Sequence, residues 1–173
     1  MLKKFAIQDY IKTITSISLN DKKDIVKLSE VAKKLSITNA AVSDMVKKLV
    51  KDGLIINHAY KGLELTDQGQ KMGRQLIRHH RLWEVFLSNV LGLSWDEIHE
   101  EAEHLEHAAS VSLMDRIDAY LNYPAVDPHG NPIPDKEGHI VVSDHEVLLS
   151  ECAENECVNI SRFVGMDAAY LEH

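Results

Sequence analysis

Apolar residues recur three or four positions apart through much of this chain, in segments set off by polar breaks. Ile7, Ile11 and Ile14 form the first stripe and predict an amphipathic helix from about Lys4 to Ser18. The polar run SLNDKKD ends it. LSEVAKKL predicts a second helix, with Val31, Ala32 and Leu35 inward and Ser29 as its cap. SITN reads as a turn. Thr38 or Asn39 then caps a third helix, AAVSDMVKKLVKDG, whose inward positions are Val42, Met45, Val46 and Leu49. Gly53 stops it, since glycine tolerates the left-handed conformation that ends helices. LIINHAY and GLELT follow as two short β-rich runs around Lys61-Gly62, the pattern of a hairpin.

The second half is also helical. From Asp67 to about Leu91, Met72, Leu76, Leu82, Val85, Phe86 and Leu87 mark one long helix, to which Trp83 adds apolar surface. Ser94 caps the next, with Asp96 and Glu97 in a first turn where negative charge complements the helix dipole. That helix is expected to continue to about Ser110. SVSLMDRIDAYL predicts another, ending before Pro124. DPHGNPIPDKEGH, with Pro and Gly throughout, reads as an irregular connector. The short β-like runs after it are too few for an independent domain.

Helix, turn, helix and hairpin in this order predict a winged helix-turn-helix. Such a module places small and polar residues at the start of its third helix, which enters the major groove, with cations along the flank. Thr38, Asn39, Ala40, Ala41 and Ser43 meet the first need. Lys47, Lys48 and Lys61 meet the second, with Asp44 among them. Charge agrees with this reading. Residues 1–81 hold 16 Lys/Arg against 8 Asp/Glu, whereas residues 82–173 hold 3 against 19. A net −8 therefore conceals a basic half suited to a polyanion and an acidic half suited to cations.

Composition sets the remaining bounds. At 45% hydrophobic and 27% charged, the chain is globular rather than disordered. Its apolar runs fall short of the roughly 18 residues of a membrane span. Cys152 and Cys157 are expected to be reduced thiols in a cytoplasmic protein rather than a disulfide framework.

The acidic half carries the chemistry. His99, Glu103, Glu106 and His107 share an arc of roughly 100° if one helix runs through them. His80 and Glu84 stand one turn apart on the preceding helix. Two helices that each present histidine and carboxylate can enclose a divalent cation. A donor set of nitrogen and oxygen without sulfur favours Mn(II) or Fe(II) by ligand softness, with Zn(II), Co(II) and Ni(II) as substitutes in vitro. HEEAEH lacks the spacing of the HExxH zinc-protease motif, and no nucleophile motif or phosphate loop is present. A metallohydrolase is therefore a remote alternative. A DNA-architectural protein, with the acidic half serving only as an interface, is another, and would bind DNA without metal.

RHHRLWEVFL, IHEEAEHLEH and PHGNPIP, behind a winged helix, resemble the diphtheria-toxin-repressor family of metal-dependent transcriptional regulators over about residues 4–140. The resemblance implies a homodimer that binds a palindromic operator in double-stranded DNA when loaded with metal. It implies a mainly α fold: a winged-helix domain over residues 1–70, a helical metal-binding and dimerisation domain over 71–142, and an incomplete SH3-like segment over 143–173. It implies a primary site of Asp9, Glu103, Glu106 and His107 and an adjacent site of His80, Glu84 and His99. In some manganese-sensing relatives the histidine matching His80 joins the primary cluster. Iron-sensing members carry Met and Cys where this chain has Asp9 and Glu103, so acidic residues there resemble the manganese branch, with an Fe(II) repressor as the alternative. Lys12 is a departure, because some manganese regulators have a Glu there that helps form a binuclear site.

Overall fold

The structure is a computed structural model that describes residues 2–140, 149–154 and 157–158. Its first unit comprises α1 (Leu2–Asn20), β1 (Ile25–Val26), α2 (Leu28–Lys34), α3 (Asn39–Lys51), β2 (Ile55–His58) and β3 (Gly62–Leu65). The hairpin expected around Lys61-Gly62 is β2–β3, with Ile55 opposite Leu65 and His58 opposite Gly62. β1 was not expected. It pairs antiparallel with the other side of β3, giving the sheet order β1-β3-β2. Two residues are too few for strand periodicity to register. The strand forms because Val26 is fully buried and β3 offers it a free edge. Gly62 permits the close approach: its φ is +141°, and a Cβ there would lie 2.5 Å from the Val26 carbonyl oxygen.

The stripes predicted for the helices meet in one core. Ile11 and Ile14 of α1, Val31 of α2, Val42 and Leu49 of α3, and Leu63 of β3 are all fully buried. Thr38 caps α3, its hydroxyl accepting from the Ala41 amide at 3.2 Å. Ser29 does not cap α2. The helix starts earlier, at Leu28, with Lys27 as its N-cap, and the Lys27 amide donates to the Glu30 carboxylate at 2.8 Å.

α4 (Asp67–Asn89) runs unbroken through the expected domain boundary near residue 70. Its first half packs on α1 at very close range. A Cβ on Gly73 would lie 1.8 Å from the Thr15 hydroxyl oxygen, so glycine sets how near the two helices come. Its second half packs with α5 (Trp95–Leu105) and α6 (Val111–Tyr120). Leu82 joins Met114 and Ile117, Leu87 joins Ile98 and Ala102, and Trp83 touches both groups.

α5 ends at Leu105, not near Ser110. Ser110 is the N-cap of α6: its hydroxyl accepts from the Leu113 amide at 3.2 Å and its backbone is extended, so no helix can run through it. Glu106 and His107 therefore lie on the turn that follows α5 rather than on its face. Residues 124–140 form turns around a bridge between Val126 and Pro132. Leu149–Glu151 is a short 3₁₀ turn. Residues 143–148, 155–156 and 159–173 of the expected SH3-like segment lie outside the described residues. Among the described residues, no helix is long and apolar enough to cross a membrane.

Candidate metal centre

α4 buries four polar side chains, Arg78, His79, His80 and Glu84, where an ordinary amphipathic helix would bury apolar ones. His80 and Glu84 face α5, which presents His99 and Glu103 one turn apart. The turn after α5 supplies Glu106 and His107. α1, held against α4 at Gly73, supplies Asp9 and Lys12. All seven metal-ligand candidates thus converge, from both units of the fold.

Their grouping differs from the expected one. Asp9, Glu106 and His107 form a first cluster. His107 Nε2 is 2.8 Å from Asp9 Oδ1 and 3.6 Å from Glu106 Oε1. Glu106 is fully buried, and its Oε1 has no hydrogen-bond partner. An orphaned buried carboxylate oxygen is costly, and a cation at this point would satisfy it. His107 is positioned from behind: Nδ1 lies 3.0 Å from the Gln8 side-chain oxygen, and the ring stacks on Phe5 with centroids 5.1 Å apart. Donation from Nδ1 to Gln8 leaves the Nε2 lone pair directed at Asp9 and Glu106, the arrangement a metal-binding imidazole needs. These residues fit a divalent ion.

Glu103 sits in a second cluster with His80 and His99. His80 Nε2 is 3.2 Å from His99 Nδ1, and Glu103 Oε1 is 3.8 Å from His99 Nε2. Glu84 touches this cluster, at 3.0 Å from His80 Nε2 and 3.2 Å from His99 Nδ1, but also turns to a third, with Asp127 and His129. His129 Nδ1 lies 3.6 Å from Glu84 Oε2, and Trp95 packs edge-on against its ring. Asp127 and His129 belong to the segment that reads as an irregular connector. Their signal was PHG following an Asp, a carboxylate and an imidazole two residues apart in a tight turn. A fourth group, Asp135, Glu137 and His139, is exposed.

Burial and pairing set the charge states. Burial disfavours the His80 imidazolium, but hydrogen bonds with Glu106 and Glu84 outweigh it and raise its pKa from 6.5 to about 9. Burial likewise opposes ionisation of Glu84, yet hydrogen bonds from His129, His80 and His99 hold it far below the ordinary carboxylate range. Glu103 is also lowered: the Lys12 charge and hydrogen bond overcome the cost of burial. Asp9 is raised, by burial first and by the neighbouring Glu103 and Glu106 carboxylates, against the pull of His107. His79 lies beside the first cluster, with Nδ1 3.4 Å from the Glu106 carbonyl oxygen. His104, Glu100 and Glu101 are exposed, off the converging face as their helix positions predict.

In the first unit, α3 leaves Asn39, Ala40, Ala41, Ser43, Asp44 and Lys47 exposed, with Lys48 half-buried beside them. Lys47 pairs with Asp44 at 2.8 Å. Lys61 is exposed at the hairpin turn, next to Tyr60, whose side chain stands free of the surface with φ +63°.

Comparison with known proteins agrees with this two-part arrangement. Residues 4–63 match the family described as "Iron dependent repressor, N-terminal DNA binding domain", and residues 66–135 match "Iron dependent repressor, metal binding and dimerisation domain". The chain is 36% identical over 126 residues to the iron-dependent repressor IdeR of Mycobacterium leprae, covering 72% of this chain and 54% of that protein. It is 36% identical over 118 residues to the HTH-type transcriptional regulator MntR of Geobacillus kaustophilus, covering 68% and 82%. A solved manganese-dependent transcriptional repressor in complex with manganese superposes with a TM-score of 0.72 at 40% identity, over 80% of this chain and 63% of that one. The manganese regulator SloR superposes with a TM-score of 0.71 at 42% identity, over 86% and 67%. The chain belongs to the iron-dependent repressor family, the metal-dependent regulators related to the diphtheria toxin repressor. It spans about half the length of the IdeR relatives.

Proposed function

We propose that this chain is a metal-activated, DNA-binding transcriptional repressor, and that Mn(II) is its ion. One observation carries the reading. Asp9, on the first helix of the DNA-binding unit, meets Glu106 and His107 of the second unit around a buried carboxylate oxygen that lacks a partner. When bound, a divalent ion supplies the positive charge that lets these carboxylates lie together. Asp9, Glu106 and His107 then hold α1 against the turn after α5 and restrict the orientations of α3. In a homodimer, two α3 helices held one turn of DNA apart, roughly 34 Å, address two halves of a palindromic operator. Exposed Val90 and Leu91 at the end of α4, and Val111, Leu113 and Tyr120 on α6, supply apolar surface for that dimer.

Thr38, Asn39, Ala40, Ala41 and Ser43 lie at the groove end of α3 in this reading. Lys47, Lys48 and Lys61 contact phosphate. The donors are all oxygen or nitrogen, which supports Mn(II). The likeness to IdeR supports Fe(II) as the second reading. Operator affinity measured with each ion under anaerobic conditions separates them.

The test is fluorescence anisotropy with a duplex recovered by selection from a random library. Wild type is expected to bind tightly with Mn(II) and weakly after chelation. Asp9→Ala is expected to lose at least about tenfold of the metal response while remaining folded, since one of few anionic donors is gone. Normal activation of Asp9→Ala by Mn(II) would remove Asp9 from the site.

A further inference from the structure

Lys12 lies at the centre of the carboxylate groups and is not among the donors. It follows Asp9 by three residues on α1, so both point into the centre. Its ammonium is 2.7 Å from Glu103 Oε1, 2.6 Å from Glu106 Oε2 and 3.1 Å from His80 Nδ1. Two carboxylate oxygens, one from α5 and one from the following turn, thus accept from the ammonium, and the His80 ring of α4 lies against it. The side chain is 13% exposed.

Glu106 is the wall between this ammonium and the first cluster. Its Oε2 accepts from Lys12, while its Oε1 has no hydrogen-bond partner and lies toward His107. Glu103 and His80 are two of the three donors of the second cluster, and both are in contact with Lys12. A divalent ion shared by Glu103 and Glu106 would need the oxygens that Lys12 holds. The ammonium and such an ion exclude one another by space and by charge.

We propose that Lys12 is a tethered cation standing where a second divalent ion would otherwise bridge Glu103 and Glu106. It limits this centre to one ion, at Asp9, Glu106 and His107, and it pins α1 to the second unit before that ion arrives. The proposal rests on the reading that the Asp9 cluster takes a divalent ion. Lys12 is a positioning residue with a consequence for metal count, and that consequence is measurable without DNA.

The experiment is equilibrium dialysis of the metal-free full chain against Mn(II), with electron paramagnetic resonance on the same samples. The proteins are wild type, Lys12→Glu, Lys12→Met and Asp9→Asn. Wild type is expected to give the spectrum of isolated ions. Lys12→Glu, which puts a carboxylate where the ammonium was, is expected to bind one more Mn(II) per chain with the signature of an exchange-coupled pair. Lys12→Met frees Glu103 and Glu106 without adding a ligand, and should also gain the ion, more weakly. If Lys12→Glu does not fold, Lys12→Met decides alone. An ion at Glu84, Asp127 and His129 adds equally to every count and leaves the differences unchanged. A coupled pair in wild type, or an unchanged count in the folded Lys12 variants, would overturn the proposal. Asp9→Asn keeps the two questions apart. Loss of one ion there with no gain in the Lys12 variants refutes only the role of Lys12. An unchanged count and affinity in Asp9→Asn refutes the metal site on which the proposal rests.

Discussion

Glu106 shows how one side chain can serve two partners. It is buried, one oxygen takes both Lys12 and His80, and the other has no hydrogen-bond partner. His80 shows the related effect on protonation. Its pKa is raised from 6.5 to about 9 in the folded chain, so folding favours its charged form. The stability this contributes is fully present below pH 6.5 and is lost as pH rises through about 9. In metal-free protein, the difference in melting temperature between wild type and His80→Asn is therefore expected to shrink as pH rises across that window. A gap that stays constant or widens would show that the imidazolium is not held as described. At this scale the sequence was partly legible. Periodicity brought out His80, Glu84, His99, Glu103, Glu106 and His107, and the resemblance added Asp9. It did not show that Glu103 would sit with His80 and His99, because grouping depends on how three elements cross. Asp127 and His129 were passed over because a turn rich in Pro and Gly has no periodic face on which a ligand stands out.

At the scale of elements, the centre depends on α1 lying close to α4. Gly73 makes that approach, with Thr15 in the space its side chain would fill. Gly73→Ala is expected to push the helices apart and destabilise the fold by about 1–3 kcal/mol, the usual cost of overpacking. Mn(II) affinity should fall with it, because Asp9 moves away from Glu106 and His107. Calorimetric melting and metal titration of the same variant check both, and unchanged metal affinity would mean that α1 is not positioned through this contact. α3 carries a separate prediction. Lys47→Ala and Lys48→Ala should each weaken binding to all duplex sequences and lower the salt slope by about one unit, as expected for a lost phosphate contact. If affinity and slope are unchanged, DNA docks on another face. The long helices and the hairpin were readable because they repeat a period over many residues. β1 was not, being two residues long and dependent on the free edge of β3. The end of α5 was misread because LEHAAS has no Gly or Pro, and only the capping role of Ser110 stops the helix.

At the scale of the molecule, the chain divides into a basic unit and an acidic one, joined where Asp9 meets Glu106 and His107. In the proposed function, metal and DNA bind one linked arrangement. Thermodynamic linkage makes this quantitative. If Mn(II) tightens DNA binding by some factor, typically about 5–150-fold for such couplings, DNA must tighten Mn(II) binding by the same factor. The decisive measurement is Mn(II) affinity by calorimetry, with and without a saturating selected duplex, set against duplex affinity with and without Mn(II). Two equal factors, both well above one, are expected. Mn(II) affinity that is the same with and without the duplex would contradict the linkage, leaving a metal-binding chain whose metal does not govern its hold on DNA.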